Sequence, residues 1–191
     1  DHGHRHAHGQ AHGQAHGHAR REPAGGHPRP YREVRAIVAK AGLAAGAREM
    51  AERIFARLAE AEGAVHGVPA DEVVLHEVGA WDSIADVVCT ALALDQLGPE
   101  EIYCSPVPLG AGSVRTMHGV MPVPGPATLA LLRGFPVEMG GPRYERTTPT
   151  GAAILAALAR PAPEPFRFVP ERVGIGLGTL DPPEVPNLLR A

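Results

Sequence analysis

The sequence predicts an α/β (or α+β) fold, a mixed sheet with flanking helices, and three observations carry that expectation. Residues 72–104 read as strand, loop, helix and strand in succession, the pattern that implies a parallel pair. Apolar residues recur at helical spacing in several further segments, and short β-branched runs lie between Gly/Pro-rich turns. The 191-residue chain is 44% hydrophobic, enough for a buried core.

The elements follow in order. Tyr31 to Ala41 places Val34, Ile37, Val38 and Ala41 on one stripe, which Gly42 can end. A second helix is expected from about Ala47 to Glu62, with Met50, Ile54, Leu58 and Ala61 on one face. Glu72 to Val78 concentrates Val73, Val74, Leu75 and Val78 as a strand, and Gly79-Ala80 breaks it. Asp82 or Ser83 is placed to cap a helix carrying Ile84, Val87, Val88, Ala91 and Leu92 and ending at Gly98-Pro99. Glu101 to Cys104 is the next strand. Ser105 to Pro126 is a long Pro/Gly-rich stretch of the kind that carries function. Pro126 suits the first turn of a helix over Ala127 to Arg133, and Phe135 to Met139 reads as a strand. Thr148 or Thr150 can cap a helix over Gly151 to Ala159. Phe166 to Val169 reads as a strand, and Val173 to Gly178 as one that another backbone approaches closely.

The head of the chain has a different character. Seven of the eleven histidines, His2, His4, His6, His8, His12, His16 and His18, fall in the first eighteen residues among Gly, Ala and Gln. Neutral imidazole is a preferred donor for nickel, copper and zinc, and small spacers let several rings turn to one ion. With no apolar residue larger than alanine the run cannot build a core, so 1–29 is expected to be a disordered metal-binding segment and linker, and 30–191 one α/β domain. A net charge of -3 and the lack of a Lys/Arg cluster exclude nucleic acid as a partner on electrostatic grounds. Two cysteines, Cys89 and Cys104, make no disulfide scaffold, and no apolar stretch is long enough for a membrane span; a soluble protein of the reducing cytoplasm is expected.

Three constellations offer chemistry. His76 and Glu77 end a strand, and Asp82 and Asp86 share a face of the next helix, so the four can meet in the crevice beyond the strand. Imidazole with carboxylate suits a divalent metal. A capping Asp82, a solvated Asp86 and an outward-facing His76 explain the same spacing. Gly110 to His118 supplies amides, hydroxyls, Arg115 and an imidazole, a set that can hold phosphate or form a simple turn. Glu145 to Gly151, with Arg146, Thr148 and Thr150 before a hydrophobic helix, is an anion site or a plain cap.

Taken together, residues 76–86 (HEVGAWDSIAD), 105–113 (SPVPLGAGS), 118–128 (HGVMPVPGPAT) and 148–153 (TPTGAA) resemble, motif after motif and in order, the nickel insertion proteins that mature the nickel-pincer cofactor of lactate racemase, the LarC family. The resemblance covers roughly 30–190, and the His-rich run resembles a variable insert of that family. It implies a chelatase, a lyase that inserts Ni2+ into pyridinium-3,5-bisthiocarboxylic acid mononucleotide with consumption of CTP. It further implies Mn2+ or Mg2+ beside CTP on a separate C-terminal nucleotide-binding domain, with lactate racemase apoprotein as downstream partner. On that resemblance the chain is an inner piece of a longer protein and not the whole catalyst.

Such a reaction needs an anion grip, a route for Ni2+ and a base for the proton that leaves carbon. On residue chemistry, Ser113, Arg115, Thr148 and Thr150 are assigned to phosphate and substrate, and His76, Asp82 and Asp86 to metal. Glu77 or His118 is the proton acceptor, and the head histidines are a nickel reservoir. Two rivals stay open: a non-catalytic nickel storage or delivery module, and a metal-dependent phosphohydrolase. Homo-oligomerisation is also open.

Overall fold

The computed structural model describes residues 28–76, 78–180, 182–183 and 185–191. The histidine-rich head and Glu77 therefore lie outside the described residues. Among the described residues, five α-helices and ten short strands make an α/β protein, as expected.

The fold is organised on one long helix. α1 (Tyr31–Lys40) leads through Gly42 to α2 (Ala45–His66), which buries Ala47, Ala51, Ile54, Phe55, Leu58 and Ala61 at three- and four-residue steps. That stripe is wide enough for α2 to pack against α1, α3 (Trp81–Leu97), α4 (Pro126–Leu131) and α5 (Pro149–Leu158). Ile54, Phe55 and Leu58 are sealed from solvent with Val34 and Val38 of α1 and Val87 of α3. Each such side chain contributes roughly 1.5–3 kcal/mol of transfer free energy. Among the described residues, no helix is long and apolar enough to cross a membrane.

α2 runs four residues past its expected end. Gly63 is tolerated inside it because the chain after the helix folds back on that face: a Cβ there would collide with the Val68 carbonyl oxygen. The helix stops at Gly67, whose φ of +71° gives the left-handed cap a side chain would resist. His66 thereby becomes the last helical residue.

The strands are β1 (Arg29–Pro30), β2 (Val74–Leu75), β3 (Tyr103–Cys104), β4 (Val107–Gly110), β5 (Ser113–Thr116), β6 (Gly119–Pro122), β7 (Val137–Met139), β8 (Arg160–Pro161), β9 (Ile175–Leu177) and β10 (Leu188–Arg190). They form five separate two-stranded pairings among the described residues, not one mixed sheet. The crossover expected over 72–104 is also corrected. Its strand, helix and strand exist as β2, α3 and β3, but β2 pairs antiparallel with β1, and β3 pairs parallel with β8. The physical reason is reach: α3, at about 1.5 Å per residue, carries the chain some 25 Å away from a β2 only two residues long. A parallel connection does occur one unit later, where β4 and β7 pair on either side of α4.

Three smaller differences have local causes. Among the described residues of the expected 72–78 strand, only Val74–Leu75 pairs as a strand, because Ala70–Glu72 forms a 3-10 turn before it. α3 begins at Trp81, so Asp82 and Ser83 sit in its first turn and Ala80 is the N-cap. Phe166 to Val169 forms no ladder; Phe166 instead sets its ring 5.2 Å from Tyr103 and 5.4 Å from Phe168. The close backbone approach at the glycine-rich tail is present, as β9 against β10.

Candidate metal centre and its cavity

Three histidines distant in sequence meet at one place. His66 closes α2, His76 follows β2, and His118 sits at the turn between β5 and β6. One ligand nitrogen from each lies within 4.8 Å of the other two, and the ring centroids are 4.9–5.5 Å apart. Among the described residues this is the only group of three or more His, Cys, Asp or Glu side chains close enough to share an ion. Three imidazoles converging with no fourth ligand among the described residues is the donor set of a site that keeps a coordination position open.

Local structure holds each ring. Leu75, fully buried, anchors the strand before His76, and Gly79 lets the chain turn beneath Arg29, where any Cβ would meet the Leu75 carbonyl oxygen. On the hairpin, the Thr116 hydroxyl accepts the His118 backbone N–H at 3.0 Å and donates to the Gly119 carbonyl at 3.2 Å. Gly119, at φ +96°, makes that turn possible. The Glu62 carboxylate, one turn back on α2, stands 3.5 Å from His66 Nε2. A carboxylate in that position helps orient the imidazole.

The rings line a cavity of about 260 Å³ whose walls are mostly apolar, including Val78, Val114, Met121 and Ala127. Glu62 and Glu145 are its carboxylates, and among the described residues no lysine or arginine lines it. Thr128 lines it too.

The residues expected to act are divided by the fold. His76 and His118 come together, joined by His66. Asp82 and Asp86 lie on the exposed face of α3 outside the cluster, and Asp82 accepts the Ser83 N–H at 2.8 Å. Trp81 stays 60% exposed with the Arg29 guanidinium stacked 4.4 Å above its ring. Val114 and Thr116 of β5 line the cavity, so Ser113 and Arg115, alternate residues of the same strand, project from its other face. Thr148 is the N-cap of α5, accepting the Gly151 N–H at 3.2 Å, and Thr150 lies in the first turn, beside the cavity-lining Pro149. Sequence reasoning passed over His66 because it ended α2 at Glu62. The available signal was a histidine directly before Gly67, a basic last turn followed by a glycine cap.

The model of the family described as nickel insertion protein matches residues 2–191. Curated relatives named for nickel insertion include one from Geobacter sp. (strain M21), 51% identical over 162 residues, and one from Geobacter sulfurreducens, 53% identical over 163. A third, from Wolinella succinogenes, is 43% identical over 162 residues. The matches cover 85% of this chain but only 41–42% of each relative, so the chain spans less than half the length of the curated relatives it matches. No solved structure matches it. The chain belongs to the nickel insertion protein family.

Proposed function

We propose that this chain presents Ni2+ for insertion into an organic ligand, holding the ion at His66, His76 and His118 while the ligand occupies the adjoining cavity. The observation that carries the reading is the convergence of three imidazole donors, within 4.8 Å of one another, on the wall of a mostly apolar cavity. Imidazole suits Ni2+, and three protein ligands leave positions through which the ion can pass to a new partner.

The longer protein's reaction, on this reading, inserts Ni2+ into pyridinium-3,5-bisthiocarboxylic acid mononucleotide to make the nickel-pincer cofactor of lactate racemase. Forming a nickel-carbon bond at a ring C–H releases one proton. A base must accept it: Glu145 on the cavity wall and Glu77, next to His76 in sequence, are the candidates, whereas His118 has no free lone pair while it binds the ion. The phosphate is held outside the cavity, by Ser113 and Arg115 on the hairpin's outer face or by Thr148 and Thr150 at the start of α5. The histidine-rich head feeds the site as a local store of Ni2+, with 1–29 a linker, 30–191 one domain, and the cytoplasm its place.

CTP with its Mn2+ or Mg2+ belongs to the remaining length of the protein. Those ions favour oxygen donors, and the one ligand cluster among the described residues is all imidazole. The phosphohydrolase alternative loses support because, among the described residues, Asp82 and Asp86 gather no third ligand.

The test is a competition titration of Ni2+ against a chromophoric chelator. It uses the chain with its seven head histidines changed to asparagine, so that only the body is read. His76→Ala should lose at least the roughly 10- to 100-fold in affinity that removing even an outer partner of a metal ligand costs. Affinity equal to the parent's would remove the site.

A further inference from the structure

Thr128 is the one buried polar or charged residue among the described residues, 0% exposed, and its Oγ1 has no hydrogen-bond partner. Buried hydroxyls are almost always paired, because leaving one unmade forfeits its hydration with nothing in exchange. A helical threonine usually resolves this by bonding a carbonyl one turn back, and Thr128 does not. Valine has the same shape without the cost, so packing alone gives no reason for threonine here. The residue lies on the wall of the cavity that the three imidazoles share.

We propose that Thr128 is the specificity-determining residue of that cavity, its hydroxyl hydrogen-bonding a heteroatom of the molecule that receives the metal. The inference rests on the reading of the cavity as the insertion chamber. A threonine in a helix has two accessible χ1 wells, so the hydroxyl can turn from its ligand-free position to a bound heteroatom without moving α4. The surroundings fix the class of group it meets. Apolar walls with no lysine or arginine among the described residues suit an aromatic ring such as pyridinium and leave the phosphate outside. In such a chamber an unpaired hydroxyl discriminates, since a ligand lacking the matching heteroatom leaves it unpaired.

The experiment compares Thr128→Val and Thr128→Ser with the parent chain in three measurements: Kd for pyridinium-3,5-bisthiocarboxylic acid mononucleotide without metal, Kd for Ni2+ alone, and Tm without ligand. The valine variant should bind the mononucleotide about tenfold more weakly, keep its Ni2+ affinity, and melt about 2–4 °C higher because the unpaired hydroxyl is gone. The serine variant should bind the mononucleotide like the parent. Thr128→Ala replaces valine if that variant fails to fold. Equal mononucleotide affinity in the parent and the hydroxyl-free variant overturns the proposal, even if His76→Ala abolishes nickel binding. Loss of mononucleotide affinity upholds it, even if His76→Ala leaves nickel binding intact and the metal reading alone falls. A parent chain that binds no mononucleotide overturns both.

Discussion

His76 and His118 stand edge to face with ring centroids 4.9 Å apart, although one follows a two-residue strand and the other tips a hairpin beyond a 17-residue helix. Neither needs the other for packing, since His118 is exposed and His76 half-buried. Their meeting at the end of α2, against a third imidazole, is the arrangement on which a shared ion depends.

The α3 carboxylates provide the contrasting case. Asp82 and Asp86 are exposed and outside the imidazole cluster, so Asp82→Asn with Asp86→Asn should leave Ni2+ affinity within twofold of the parent. The same chelator competition reads it. A tenfold loss would return those carboxylates to the metal.

Thr148 separates a cap from an anion grip. Its hydroxyl accepts the Gly151 N–H, so Thr148→Ala should cost about 1 kcal/mol in chemical denaturation, while Thr148→Ser costs a fraction of that. If phosphate contact is its role instead, Thr148→Ala unfolds like the parent and loses mononucleotide affinity that Thr148→Ser keeps.

Gly110 controls how the chain after β7 returns to β4. Its φ is +85°, and a Cβ would run into the Tyr144 carbonyl oxygen, just before the bridge to Glu145 on the cavity wall. A non-glycine residue in such a conformation costs about 1–3 kcal/mol before the clash is counted. Gly110→Ala should therefore lower Tm by at least about 5 °C. An unchanged melting curve would mean this close approach does not hold the wall.

Burial pushes the Cys104 thiol above its ordinary range, and Cys104 donates its S–H to the Ser105 carbonyl. Thiolate is the form that alkylates, so at pH 8 iodoacetamide should modify Cys104 more slowly in the folded chain than in urea. The difference should shrink as pH rises. Because the folded thiol holds its proton where the unfolded one releases it, this group's contribution to stability is present below the ordinary thiol pKa and is lost as pH rises through the folded one. Mass spectrometry of the labelled peptides checks it.

Much of the architecture was legible because its signals are local. The stripe of α1, the cap of α5 at Thr148, proline at the first turn of α4 and the glycine end of α3 each depend on neighbours within a few residues. Strand pairing was not legible. Two-residue strands carry no alternation from which a partner can be read, and β3 meets β8 through the packing of α3 and α5 on α2, far apart in the chain. The site shows the same division. His76 and His118 stood inside recognisable motifs, whereas His66 joins them through the length of α2, and that length turned on whether Gly63 or Gly67 ended the helix.

The most direct measurement is X-ray absorption of Ni2+ bound at one equivalent to the chain whose seven head histidines are asparagine. The account predicts outer-shell scattering from three imidazoles, falling to two in His118→Ala. A first shell of oxygen alone, or an imidazole count that His118→Ala leaves unchanged, would contradict it.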